Sequence, residues 1–181
     1  VQKYSGAITV DSLNIQDATT SVTLDGAVTT QTTLDINSGG TLIQNKKVIA
    51  GTSLDYDAAT IGINNTITSG TTIDIDATGV TTVAEAGDIT SSGAVTFGAN
   101  KSGTLTTAGE ITTTDDDVTF TNAVTQSGDV EIDTGSSGDI LFSSTVATGD
   151  NDLQLDAGSA GDITADKSIT GGGAFTVTDG A

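Results

Sequence analysis

Apolar residues recur along this chain as short apolar–x–apolar pairs: Leu13/Ile15, Leu34/Ile36, Leu54/Tyr56, Ile73/Ile75, Val95/Phe97, Val118/Phe120, Ile140/Phe142 and Ile163/Ala165. Consecutive pairs stand 19–23 residues apart. Alternation of this kind is the period of a strand with one buried face. A repeat near 20 residues marks a solenoid, in which each coil buries its apolar side only by stacking on the next. Two more ladders keep the same step. The second runs Ile8, Val28, Val48, Ile67, Ile89, Ile111, Val130, Leu153, Phe175; the third runs Val22, Leu42, Ile61, Val83, Leu105, Val124, Val146, Ile169. Three ladders predict three short strands per coil and a roughly triangular section.

The expected fold is therefore all-β: a right-handed parallel β-helix (β-solenoid) of about eight coils of 19–23 residues. The hand follows from the strong right-handed bias of parallel crossover connections. A left-handed hexapeptide solenoid favours strict steps of six on all faces, which this chain lacks. With coils about 4.8 Å apart, eight make a rod roughly 40 Å long. The ladders run without a linker, so residues 1–181 read as one domain, expected to be a segment of a longer repetitive chain.

Composition sharpens this picture. There is no Pro among the 181 residues, so every backbone N–H can donate to a neighbouring coil. Gly, Asp, Asn and Ser crowd the predicted corners, as in Ser38-Gly39-Gly40 and Ser136-Ser137-Gly138-Asp139. No apolar run is long enough to span a bilayer as a helix, and the alternating segments are too short for outer-membrane strands. The formal charge is −19, from 24 acidic residues against five lysines. Nucleic acid and anionic membrane are repelled by such a surface.

The outward positions of the main ladder gather Asp35, Asp55, Asp57, Asp74 and Asp76 on one face. Carboxylates 4.8 Å apart repel by roughly 0.9 kcal/mol in water and about 3.5 kcal/mol at an effective dielectric of about 20. Hard oxygen donors in a group suit Ca²⁺, so these five are the candidate metal ligands. A solvated acidic face is the simpler reading, and neither an EF-hand loop nor a calcium-roll nonapeptide is present. Asp115-Asp116-Asp117 reads as a solvated acidic turn. The phase of Phe97, Phe120 and Phe142 points inward, as a core stack. Tyr56 shares their column, with a hydroxyl that needs a partner. Leu141 points outward. Thr-rich stretches fit strand propensity better than a crystal-binding array.

No catalytic residues are expected. His and Cys are both absent, which removes two common acid–base and nucleophilic groups. A glycosidase needs only two carboxylates flanking a cleft, but nothing in the sequence selects a pair.

The phrases Gly87-Asp-Ile-Thr-Ser-Ser-Gly-Ala-Val-Thr-Phe97, Gly109-Glu-Ile-Thr, Gly138-Asp-Ile-Leu-Phe142 and Gly161-Asp-Ile-Thr resemble the shaft repeats of filamentous-haemagglutinin-like adhesins and autotransporter passengers. The resemblance implies a β-helix exported to the cell surface of Gram-negative bacteria, where such rods carry adhesive regions. The chain is accordingly expected to be an extracellular structural or adhesive rod and no enzyme. Expected partners are neighbouring repeats or identical subunits set end to end, and host or matrix glycans. A calcium- or carbohydrate-binding module on the same solenoid is the alternative; a polysaccharide-active enzyme is a third reading.

Overall fold

The computed structural model describes residues 1–17 and 19–179. They form 24 strands, with no helix among the described residues. Every strand pairing is parallel, and each strand of an interior coil pairs with strands of the coils before and after it. The fold is a parallel β-solenoid of about eight coils. Three ladders become three faces. The second forms a nine-stranded sheet; the first and third are joined into a fifteen-stranded one. They join because Leu34–Gln44 and Leu54–Ile63 run through the corner unbroken. Small residues allow this: Ser38-Gly39-Gly40 in one coil, Ala58-Ala59 in the next.

The main ladder stands in the anticipated register from end to end. Leu34 faces Leu54, which faces Ile73, then Val95, Val118, Ile140 and Ile163. The inner column beside it runs Ile15, Ile36, Tyr56, Ile75, Phe97, Phe120, Phe142, Ala165. Phe97, Phe120 and Phe142 stack with centroids 5.4 and 4.8 Å apart and planes within 6° of parallel. Coil spacing dictates this, since identical side chains in register lie one strand separation apart.

Burial shows what each coil receives from its neighbour. Leu153 and Leu155 on the second face are buried, whereas Phe175 and Val177, their register partners in the last coil, are 52% and 48% exposed. Equivalent positions differ only in having a coil on both sides or on one. The core is therefore made between coils rather than within them.

Two rungs differ from the sequence reading. In the third ladder Ile61 faces Thr81, and Val83 faces Ile63; Thr81, in turn, faces Leu105. In the second ladder Ile111 faces Ile132 rather than Val130. Both slips are of two residues. Side chains alternate with period two, so a shift by two keeps every apolar residue inward, and the hydrophobic pattern is blind to it. Thr81 thus occupies an apolar column while remaining buried.

A buried hydroxyl column closes one corner. Ser69 Oγ donates to the carbonyl of Thr52 (2.5 Å), with that of Thr72 as a second acceptor in reach (3.0 Å), Ser91 Oγ to that of Thr71 (2.8 Å), and Thr113 Oγ1 to that of Asp116. Turn carbonyls facing inward are satisfied this way without water.

Candidate functional site

The five predicted aspartates do share one face. The strands Leu34–Gln44, Leu54–Ile63 and Ile73–Ala77 set Asp35 beside Asp55 beside Asp74, and Asn37 beside Asp57 beside Asp76. Parallel in-register pairing leaves no other arrangement, since all are outward positions of paired rungs.

Three of the five carboxylates are matched. Asp35 accepts from Asn14 Nδ2 at 2.8 Å and from Gln16 Nε2 at 3.2 Å. Asp76, almost wholly buried, accepts the backbone N–H of Asn100 at 3.1 and 3.3 Å. Asp57 Oδ1 meets Lys101 Nζ at 2.7 Å, an ion pair aligned off the direction of a proper hydrogen bond. No side-chain donor reaches Asp74, whose carboxylate has the backbone N–H of Ile75 and whose Oδ1 is a buried atom without a hydrogen bond. Among the described residues no group of three or more Asp, Glu, His or Cys is disposed to hold a metal ion.

This imbalance shifts protonation. Desolvation, then repulsion from Asp57, Asp74, Asp35 and Asp76, pushes the Asp55 carboxyl up to about 6. Desolvation, then Asp76 and Asp57, raises Asp74. A carboxyl that holds its proton more tightly when folded stabilises the fold below the ordinary aspartate range, near 3.9, and loses that contribution as pH rises through the folded value. Stability should therefore fall between about pH 4 and pH 7. After allowance for solvent screening of the exposed Asp55, the drop is about 1 kcal/mol. Melting temperatures measured across that range check it: Asp74→Asn should flatten the slope, and an unchanged slope would contradict this origin.

Tyr56 is fully buried, and its hydroxyl lacks a hydrogen-bond partner. Burial pushes the pKa of this phenol far above its ordinary value, so the hydroxyl keeps its proton. The hydroxyl lies on the core side of the strand, away from the acidic face.

Aspartates that directly precede an inward apolar residue, Asp139 of the Gly-Asp-Ile phrase among them, have a structural meaning that sequence reading missed. Asp117 Oδ1 accepts the N–H of Asp139 at 2.9 Å, and Asp139 Oδ1 accepts that of Asp162 at 2.8 Å. Asp129 clips Asp152 at 2.8 Å, and Asp152 clips Ala174 at 2.7 Å. Each carboxylate ties its coil to the next at a corner, where the strand ladder has a free N–H. In the Asp115–Asp117 turn, Asp115 adopts φ 58° and its Oδ1 accepts the N–H of Ser136 at 2.6 Å. That turn is thus a coil-to-coil clip as well as a solvated knot. Leu141 is half-buried between Thr119 and Thr164.

Comparison with protein-family models, with curated proteins and with solved structures gives no match.

Proposed function

We propose that this chain is a segment of an extracellular structural rod, of the kind found in bacterial surface adhesins, surface layers or filaments. The reading is carried by the unbroken coil-on-coil ladder. Every interior rung of the main ladder is buried by its neighbours, so the element that repeats is a length increment. Each added coil extends the rod by about 4.8 Å and leaves the section unchanged. The dense acidic surface supports the same reading, because it keeps a long apolar-cored rod soluble. The shaft-like Gly-Asp-Ile phrases add to it, the one at Asp139 now with its clip as a physical reason.

Two measurements test the proposal. Dyes placed at the two ends of the 181-residue chain should report one narrow distance near 40 Å, whereas a flexible linker of this length spans about 75 Å with a broad distribution. An antibody raised against the chain should label intact cells of the source organism. Labelling only after permeabilisation would remove the extracellular assignment.

A further inference from the structure

The corner between Val95–Phe97 and Thr104–Thr107 is built differently from its counterparts in the preceding coils. In the three coils before it the chain turns within a strand or across two residues, as at Ala58-Ala59 and Thr78-Gly79. Here residues 98–103 leave the sheet and lie along the rod. Asn100 N–H reaches Asp76 in the coil before. Lys101 reaches Asp57 a further coil back. From the coil after, Asn122 Nδ2 donates to the Lys101 carbonyl at 2.7 Å. One short segment therefore touches three neighbouring coils.

Both ends of the segment are glycines fixed to the sheet. Gly98 N–H donates to the Ile75 carbonyl at 3.1 Å, and Gly103 N–H to that of Ala77 at 3.0 Å. Gly98 has φ +79°, and a Cβ there would stand 2.0 Å from Asn122 Nδ2. A Cβ on Gly103 would stand 2.2 Å from the Gly79 carbonyl oxygen. Between these anchors and the core lies a cavity of about 10 Å³, lined by both glycines and by Ile75, Phe97, Leu105 and Phe120. Such a hollow is at the lower limit for one water, and its lining is largely apolar.

We propose that residues 99–102 form a latched strap, hinged at Gly98 and Gly103 and held shut by Lys101 on Asp57, whose release opens the cavity beside the Phe97–Phe120 stack. The inference is independent of the rod's cellular role. The latch is suited to release because both partners are about one-quarter exposed, so dissolved salt reaches and screens the pair. The hinges are suited to stay, because their N–H groups bond to the carbonyls of Ile75 and Ala77 in the strand of the coil before. Opening therefore moves four residues and leaves the coils stacked.

Lysine placement supplies the test. Trypsin can cut this chain only after Lys3, Lys46, Lys47, Lys101 and Lys167, since there is no arginine. Limited digestion at low salt should cut after Lys101 about two- to fivefold faster in Asp57→Asn than in the unaltered chain, with cutting at Lys46 and Lys47 unchanged. Salt at about 0.5 M should reproduce the effect in the unaltered chain, measured relative to Lys46. Asp139→Asn, far from the strap, should leave the rates at Lys46, Lys47 and Lys101 as they are. In amide exchange, the Asn100 N–H should speed up in Asp57→Asn while those of Gly98 and Gly103 stay protected. An unchanged rate at Lys101 would overturn the latch. A rise shared by every lysine, or by all three amides, would overturn the strap, because it would report loosening of the whole coil.

Discussion

Phe120→Ala should cost about 3–5 kcal/mol, enough to unfold a rod of ordinary stability or bring it to the edge. Phe120 is 1% exposed and is the middle ring of the three-membered stack, 5.4 Å from Phe97 and 4.8 Å from Phe142. Truncation removes contacts with both neighbours at once and leaves a void that the coils cannot close, because their separation is fixed by the strand ladder above and below. Replacement of Phe97, which has a ring on one side and Ile75 on the other, should cost less than replacement of Phe120. Urea unfolding of the two alanine variants measures both. Equal, small losses below about 1 kcal/mol would show that the aromatic column is not packed as described.

Gly51→Ala should be nearly as damaging, for the opposite reason. A Cβ at position 51 would lie 1.9 Å from the carbonyl oxygen of Gln31 and 2.4 Å from its carbon. Those are backbone atoms of the coil beneath, so no side-chain rotation relieves the clash. The coils must part at this corner, weakening the bond from Gly51 N–H to the Thr30 carbonyl at 2.9 Å. Overpacking of this type costs about 3 kcal/mol. Gly62 provides the contrast, since a Cβ there meets only the Leu42 carbonyl oxygen at 3.9 Å. Gly62→Ala should be tolerated, and thermal melting of the two variants should separate them by about 6–12 °C. Similar melting points would contradict the close coil contact at Gly51.

What the sequence revealed follows from what a hydrophobic pattern can encode. The main ladder was legible because apolar–x–apolar pairs recur at every coil and each inner residue must meet a like neighbour. The acidic face was legible for the same reason, since outward positions follow once the inward ones are placed. The exchange of Val83 for Thr81, and of Val130 for Ile132, was not legible. A two-residue slip preserves phase, and only the corner geometry decides between registers. Of the clips made by Asp117, Asp139, Asp129 and Asp152, only that of Asp139 stood in a recurring phrase, and none was visible as a mechanism, because their partners are backbone N–H groups one coil away. Asp directly before an inward Ile, Val or Leu at a corner is the signal that could have exposed them. The strap over residues 99–102 was hidden more deeply. Lys101 meets Asp57 across 44 residues, and nothing local in either sequence context announces the contact.

The matched and unmatched carboxylates of the acidic face also follow from position more than from residue type. Asp35, Asp57 and Asp76 each have a donor because an amide, a lysine and a loop N–H reach them. Asp55 and Asp74 follow Asp35 in one column, beside Asp57 and Asp76 in the other, and desolvation together with those neighbouring carboxylates makes them hold their protons more tightly. The direction of the pH dependence set by Asp55 and Asp74 distinguishes this arrangement from a uniformly solvated surface.

The central claim is that successive coils lie directly on one another in parallel register. The chain has no cysteine, so paired cysteines report that stacking cleanly. Thr96 and Thr119 are outward register partners on adjacent coils, and Leu141 is the next member of the same column. Adjacent partners are about 4.8 Å apart, within the reach of a disulfide; positions two coils apart, at about 9.6 Å, are beyond it. Mild oxidation should close an intrachain bond in Thr96→Cys/Thr119→Cys and fail to do so in Thr96→Cys/Leu141→Cys. Ready closure of the second pair, or failure of the first in folded protein, would contradict the stacked coil.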